Sequence, residues 1–406
     1  MNNKKNIDDA MKHFGWLLEE QLTRIEIMKI TDDWMDYKKL KPIKIGILSG
    51  DGIGPYICKD ASKILKFLLN EEIKMHKILI KNIKGLTIEN RVKTMEVIPS
   101  DVLNKLKTCH VILKGPTTTP GKGDKWPNIE SANVTIRREL DLFANVRPIT
   151  IPEHEINWTF FRENIEGPYM LGSKGINITD DLAVDFTITT KQGSARIIEL
   201  AFDYAKKHKI NKLTVVTKAN VIKTTDGKFL SEVEEISKRY PDIKWDSWYI
   251  DNFAAKIIEP VRRNQFKVIV LPNLYGDIIT DIAAQIQGGV GTAGSANIGK
   301  HYAMFEAIHG SGLKMVKEGR AKYANPLGIM RATAMLLRHI GLVKKAIKLE
   351  RVLDLFAVYE KEKIPTGYSN GVTGEDFTNY ILETLQDLNY EKKFNNYEKI
   401  KNRNVE

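Results

Sequence analysis

Apolar residues gather into short uninterrupted runs along most of this chain, and turn-forming residues close each run. Lys44–Leu48 (KIGIL) ends in Ser49-Gly50-Asp51-Gly52, and Val111–Leu113 ends at Lys114-Gly115-Pro116. Phe160–Arg162, Leu213–Thr217 and Val268–Leu271 have the same character. Such runs predict strands buried on both faces. Between and after them, Ile57–Leu69, Ser194–His208 and Asp277–Gln287 place apolar residues at helical spacing. Strands alternating with helices predict an α/β fold with a largely parallel sheet.

Three stretches break that rhythm. Residues 1–40 form a polar leader containing WLLEEQLTRIEIM, a helical pattern whose Trp16, Leu17, Ile25 and Met28 can dock on the body. Residues 167–193 are rich in Gly, Thr, Asp and β-branched residues, and Ala183–Thr190 alternates polar and apolar. That predicts a small antiparallel arm. The polar tail from Glu391 is expected to fray.

Composition narrows the class. A chain of 406 residues suggests two or three domains. With 42% hydrophobic and 28% charged residues it is neither collagen-like nor disordered. Its two cysteines, Cys58 and Cys109, give no disulfide framework and no zinc quartet, and fit a reducing, cytoplasmic compartment. No apolar run reaches the roughly 18 residues of a membrane span, and the first residues do not read as a signal peptide. The net charge of +11 suits a polyanion partner or small anionic substrates. Residues 1–42 hold eight bases and eight acids, so the surplus lies in the body. It is scattered rather than gathered into a stripe, and no nucleic-acid-binding motif accompanies it.

Several motifs carry chemistry. Gly50-Asp51-Gly52-Ile53-Gly54 has the spacing G-x-G-x-G, which misplaces the third glycine of a dinucleotide fingerprint. The run Gly288–Gly299 suits either a loop whose backbone closely approaches a ligand or a flexible surface loop. Arg137, Arg147 and Arg162 lie near element ends, and converging guanidinium groups suit a polycarboxylate, although each alone reads equally as a structural ion pair. Asp277 and Asp281 share a helix face near its N-terminus, which suits either a divalent cation or helix-end charge stabilisation. Lys218 closes a strand and is either an acid–base group or a surface lysine. His309, before a glycine, is either structural or functional.

The order of these pieces resembles the isocitrate and isopropylmalate dehydrogenase family of β-decarboxylating dehydrogenases. The segments that carry the resemblance run from KIGILSGDGIGP through KGPTTTP, SANVTIRRELDLFANVRP, FRENIEGPY, VVTKANVIK, LPNLYGDIITD, GGVGTAGSANIG and EAIHG to ANP. The resemblance implies an isopropylmalate dehydrogenase-like α/β fold, not a Rossmann fold. Its large domain would be residues 1–142 with 286–406, and its small domain 143–285. It also implies a homodimer with shared active sites, clasped through residues 167–193.

Carried over by position, Arg137, Arg147 and Arg162 would bind substrate carboxylates. Asp277 and Asp281, with Asp251 from a second copy, would hold Mg²⁺ or Mn²⁺. Tyr169 and Lys218 would be the acid–base pair, with Lys218 and Asn220 reaching in from the second copy. Thr118, Gly288, Asn297, His309, Gly310, Ser311 and Asn325 would contact the dinucleotide, with Thr118 also near the substrate. The implied reaction passes hydride from a carbinol carbon to nicotinamide, loses the β-carboxylate as CO₂ and protonates the enolate that remains.

Ser131 and Asn133 stand where the family reads the variable part of its substrate. A hydroxyl and an amide suit the extra carboxylate of isocitrate, the tricarboxylic acid cycle substrate, better than an isopropyl group. The stretch Gly121–Glu130 is longer than the loop of typical isocitrate dehydrogenases, which keeps 3-isopropylmalate and homoisocitrate in view. Lys314 replaces the aspartate of NAD-using members and favours NADP. Met315 and residues 366–371 (TGYSNG) lack the tyrosine and the tyrosine–arginine spacing of bacterial NADP-using members.

Overall fold

The structure, a computed structural model, describes residues 2–403 apart from 31, 32, 122 and 388. Its twelve strands are β1 Ile43–Leu48, β2 Ile78–Ile83, β3 Val111–Lys114, β4 Ala144–Ile151, β5 Ile156–Glu163, β6 Ile176–Thr179, β7 Leu182–Val184, β8 Lys212–Thr217, β9 Lys244–Tyr249, β10 Val268–Leu271, β11 Gly294–Ile298 and β12 Ala303–Ala307. The chain divides into two compact units. The first is Met1–Trp34, Phe143–Val146 and Ile156–Thr280; the second is Met35–Leu142, Arg147–Glu155 and Asp281–Glu406. Of the leader, the part up to Trp34 belongs to the first unit and the part from Met35 to the second.

In the second unit the strand order is β2-β1-β3-β12-β11. The first three pairings are parallel, and β11 and β12 close the run as an antiparallel pair. Ile45 and Ile47 of β1 and Val111 to Leu113 of β3 are buried, as uninterrupted apolar strands require. The helix Leu327–His339 packs on β11 and β12 and buries Leu327, Ile329, Met330, Leu336 and Leu337.

The loop after β1 explains its glycines without a diphosphate. Gly50 and Gly52 have positive φ of 69° and 59°, and side chains there would strike the carbonyls of Pro116 and Ser311. Asp51, between them, is buried and accepts hydrogen bonds from the backbone N–H groups of Ile88 (2.8 Å) and Thr118 (2.7 Å). The loop is a packing joint for the backbone.

In the first unit the order is β5-β10-β8-β9, all parallel. The helix Lys191–Lys207 lies on β5, β8 and β10. Trp158, Phe160, Phe161, Phe202, Phe229, Phe253 and Phe266 fill the core. The antiparallel arm is β6 with β7, and a bridge between Gly167 and Ile188 closes its base. The leader is a helix over Asn2–Met28 that packs against β6. Leu17 is buried, whereas Trp16, Met11 and Leu22 are exposed. Phe14 stacks on Phe186 of the arm at 4.9 Å.

Among the described residues of the tail, where fraying was expected, a helix runs over Tyr390–Arg403. Arg351 pairs with Glu391 at 3.0 Å, Lys393 pairs with Glu360, and Tyr397 stacks on Tyr359 at 4.9 Å. Polar composition hid it, because ion pairs and one aromatic stack replace the apolar stripe. Among the described residues no helix is long and apolar enough to cross a membrane.

His339 closes its helix against Tyr37, whose hydroxyl lies 2.9 Å from Nε2. Burial pulls the imidazole down from 6.5 to about 4. The unfolded chain therefore takes up this proton near pH 6.5, and the folded chain only near pH 4. Stability present above pH 6.5 is lost as pH falls through that window. Urea midpoints should decline across it, and His339→Gln should flatten the decline. An unchanged slope in the variant would remove His339 as the cause.

Candidate active site

In each unit the chemistry-bearing side chains gather at carboxyl ends of parallel strands, where open α/β sheets bind ligands. In the first unit Arg162, the penultimate residue of β5, is 1% exposed. The helix Asn273–Gln287 begins just after β10. Its Asn273 Oδ1 accepts from Arg162 Nε (2.9 Å) and Nη2 (2.7 Å). Arg162 Nη1 pairs with Asp277. A Cβ at Gly276 would lie 2.4 Å from Arg162 Cγ, so this helix needs glycine where the arginine stem crosses it. Tyr169 Oη donates to Asp277 Oδ2 at 3.0 Å. Arg162, Tyr169 and Asp277 therefore form one cluster.

Lys218, just beyond β8, forms another. Its Nζ lies 2.5 Å from Asp251 Oδ1, and its backbone N–H donates to Asp226 at 2.6 Å. The bond from Lys218 holds the Asp251 carboxyl below the usual range. Asn220 is exposed in the turn that follows.

The second unit buries a charge network. Lys114 Nζ, at the end of β3, is 2.7 Å from Glu306 Oε2, and Arg137 Nη2 is 3.3 Å from Glu306 Oε1. Burial alone would raise the Glu306 carboxyl, but Lys114, Arg137 and a bond from Asn297 outweigh it and hold it at about 2. Asn297 is fully buried on β11 and spends its amide on Glu306 (2.9 Å) and the Met304 carbonyl (3.2 Å). Arg147 pairs with Asp281 at 3.3 Å.

Thr118, Asn133 and Ser311 are also placed by short bonds. Thr117 Oγ1 donates to Asn133 Oδ1 at 2.7 Å, and Thr118 and Ser311 hydroxyls are 3.0 Å apart. Ser131 caps the helix Ala132–Glu139. The sequence reading missed Arg91, which is fully buried. Its guanidinium donates to the carbonyls of Val97 (2.8 Å), Thr118 (2.7 Å) and Glu130 (2.6 Å), tying both ends of the long loop between the last two. The only hint was an arginine inside an otherwise ordinary helix start.

A cavity of 710 Å³ opens in the second unit. Gly288, His309, Gly310 and Asn325 are among its lining residues. Met315, Thr366 and Gly367, positions considered for cofactor choice, also line it, as do Thr150–Glu153, Arg331, Lys361, Ile364 and Pro365, which were not foreseen. Gly288 and Gly289 hold positive φ of 123° and 114° there. His309 Nδ1 lies 2.9 Å from the Gly310 carbonyl, and Nε2 is buried without a partner among the described residues. Burial lowers this imidazole, so a neutral ring with one unused nitrogen faces a ligand-sized space. Thr118, Ser311 and Lys314 do not line the cavity. Lys314 is exposed, 3.9 Å from Glu318.

Asp277 and Asp281 sit one turn apart, each with an arginine partner and each partly exposed. Among the described residues no three His, Cys, Asp or Glu side chains form a metal cluster. Two accessible carboxylates nonetheless fit a hard cation that keeps water and substrate oxygens among its ligands.

Comparison with known proteins identifies the chemistry. The family model for isocitrate/isopropylmalate dehydrogenase matches residues 44–379. The isocitrate dehydrogenase (NADP) of Rickettsia prowazekii is 36% identical over 361 residues, covering 85% of this chain and 70% of that protein. The homoisocitrate dehydrogenase of Methanocaldococcus jannaschii is 34% identical over 362 residues, covering 85% and 99%. The probable mitochondrial isocitrate dehydrogenase (NAD) subunit alpha of Drosophila melanogaster is 33% identical, covering 84% and 87%. The crystal structure of isocitrate dehydrogenase from Methylococcus capsulatus superposes with a TM-score of 0.74 at 32% identity, covering 85% of this chain and 99% of that one.

Removing Glu306 would leave Lys114 and Arg137 as buried charges without their carboxylate. Glu306→Ala should therefore cost about 3–5 kcal/mol, read from urea unfolding. A loss of no more than about 1 kcal/mol, the size typical of an exposed pair, would mean that the network is solvated.

Proposed function

The chain belongs to the isocitrate/isopropylmalate dehydrogenase family, and from that premise we propose that it oxidatively decarboxylates isocitrate to 2-oxoglutarate and CO₂ with reduction of NADP. Family members are decarboxylating dehydrogenases, and the relatives include NADP-linked and NAD-linked isocitrate dehydrogenases and a homoisocitrate dehydrogenase. The observation that carries the reading is the pairing of Arg162 with Asp277 and of Arg147 with Asp281 on one helix.

In the proposed reaction Arg137, Arg147 and Arg162 turn to the carboxylates of the substrate. Asp277 and Asp281, relieved of their arginines, hold Mg²⁺ or Mn²⁺ together with Asp251 of a second copy. When bound, the cation would supply Lewis-acid polarisation and the nicotinamide a hydride acceptor. The exchange keeps every charge paired, which a trianion beside two aspartates demands. Tyr169 keeps its hydroxyl proton at Asp277 and can pass it to carbon or oxygen of the substrate. Lys218, oriented by Asp251, is the second acid–base group and with Asn220 serves the neighbouring copy's site.

Ser131 and Asn133 support isocitrate, because each offers a hydrogen bond that an isopropyl group would leave unused. The homoisocitrate dehydrogenase relative and the long Gly121–Glu130 loop support a second reading, a related 2-hydroxy diacid. Lys314 supports NADP by bringing a cation rather than an aspartate to the segment after His309. Two buried cysteines without a disulfide suit a reducing compartment, and we place the protein in the cytoplasm.

Turnover of isocitrate, homoisocitrate and 3-isopropylmalate should be followed with each dinucleotide and Mg²⁺ or Mn²⁺. Isocitrate with NADP should give the highest kcat/KM; no turnover of isocitrate would reject the leading reading. Subunit sharing has its own check. Lys218→Ala and Asp281→Asn should each lose nearly all activity alone. Mixed and refolded together, they should recover about a quarter of it, as random pairing of two-fold dimers implies. No recovery would mean that each site is built from a single chain.

A further inference from the structure

The leader helix Asn2–Met28 lies outside the segment matched by the family, yet it reaches the residues that hold the candidate site. We propose that Arg24 is a positioning residue for the reaction: by gripping Glu166 it fixes the segment that presents Arg162 and Tyr169 to Asp277. The inference rests on the decarboxylating dehydrogenase reading for its kinetic consequence, although its structural part does not.

The connection can be followed bond by bond. Arg24 Nη2 is 2.9 Å from Glu166 Oε1. Glu166 Oε1 also accepts the Thr190 hydroxyl at 2.6 Å, and Oε2 accepts the Thr190 backbone N–H at 2.8 Å. Thr190 caps the 17-residue helix Lys191–Lys207. A Cβ on Gly193 would lie 2.3 Å from Glu166 Oε1, so that helix needs glycine where the carboxylate rests against it. The Glu166 carbonyl accepts Asn273 Nδ2 at 2.9 Å, and Asn273 Oδ1 holds Arg162 by two bonds. Tyr169 follows three residues after Glu166 and bonds Asp277 at 3.0 Å.

Charge makes Arg24 more than a strut. Glu163 and Glu166 are buried side by side, and burial first, then the neighbouring Glu166, pushes the Glu163 carboxyl up to about 8. Arg24 supplies a cation to Glu166, and Arg196 one to Glu163. The leader's inward face is also the wrong composition for mere cover. Beside Leu17 it buries Gln21, with neither amide atom bonded among the described residues, and Arg24 Nη1 is buried in the same condition. Met11, Leu22 and Ile27 are left exposed. A helix serving only to shield apolar surface would reverse that arrangement.

The test compares Arg24→Ala and Arg24→Lys with Glu20→Ala, which breaks only the outer Glu20–Lys174 pair. In the full-length protein Arg24→Ala should lower kcat/KM for isocitrate about tenfold, mainly through KM, as sub-ångström misplacement of a substrate-binding arginine implies. Arg24→Lys should restore most of it, and Glu20→Ala should leave it unchanged. Independently of any turnover, amide hydrogen exchange over residues 163–169 and 273–277 should quicken in Arg24→Ala but not in Glu20→Ala. If Arg24→Ala is not recovered folded, Arg24→Gln carries the same expectations. Unchanged exchange in those segments would overturn the proposal, as would equal kinetic losses from Glu20→Ala. Absence of turnover in the unaltered protein, with the exchange change present, would fault the assigned reaction and leave the positioning role standing.

Discussion

A guanidinium at 1% exposure has to be neutralised where it stands, and much of the first unit is arranged around that requirement at Arg162. Asn273 takes two of its bonds, Asp277 takes its charge, and Gly276 gives its stem room to cross the helix. Each of these depends on the helix starting directly after β10, so that its first turn meets the end of β5. The parallel pairing of Leu271 with Arg162 fixes that meeting. Tyr169 is then carried to Asp277 by the same turn. The cluster of Arg162, Tyr169 and Asp277 arises because a buried cation admits few solutions.

The second unit solves a similar problem with the signs shared differently. Glu306 is the buried anion, and Lys114 and Arg137 compete for it. Its strongly lowered carboxyl keeps both cations charged partners of a permanent anion. Arg137 is therefore held by a bond that is longer, at 3.3 Å, than the 2.7 Å bond of Lys114. An arginine held loosely by a shared carboxylate can turn to an incoming substrate carboxylate while Lys114 keeps Glu306 neutralised. This division suits Lys114 to structure and Arg137 to binding.

The sequence made the strands legible because parallel strands buried on both faces leave an uninterrupted apolar run, and β1, β3, β8 and β10 all have one. Arg162, Tyr169 and Asp277 were legible together because family motifs fix their spacing. Partnerships between distant polar residues were not. Arg24 with Glu166, Arg91 with three carbonyls and Asn297 with Glu306 leave no periodic trace, because a buried polar group is chosen by its partner and not by its neighbours in sequence. The leader illustrates the limit. Its helix was readable from spacing, but Trp16, counted among the docking residues, is exposed and the polar Gln21 is buried instead. The polar tail failed for the related reason that its helix is held by ion pairs. Exposed pairs such as Lys105 with Asp101 and Lys238 with Glu235 cancel their charge locally and belong to a solvated surface.

The long loop between Thr118 and Ser131 bears on substrate choice through its ends more than its length. Arg91 takes the carbonyls of Thr118 and Glu130 in one guanidinium, and Ile129 is buried beside the second of them. Two bonds from a fully buried side chain, itself held by a third to the Val97 carbonyl, fix both ends of the loop however many residues lie between them. Extra residues in the exposed middle, where Lys125 lies over Trp126, then add surface without moving Ser131 or Asn133. Those two residues also have anchors of their own, the helix cap and the bond from Thr117. An insertion bounded in this way leaves Ser131 and Asn133 on the same anchors, whatever its length.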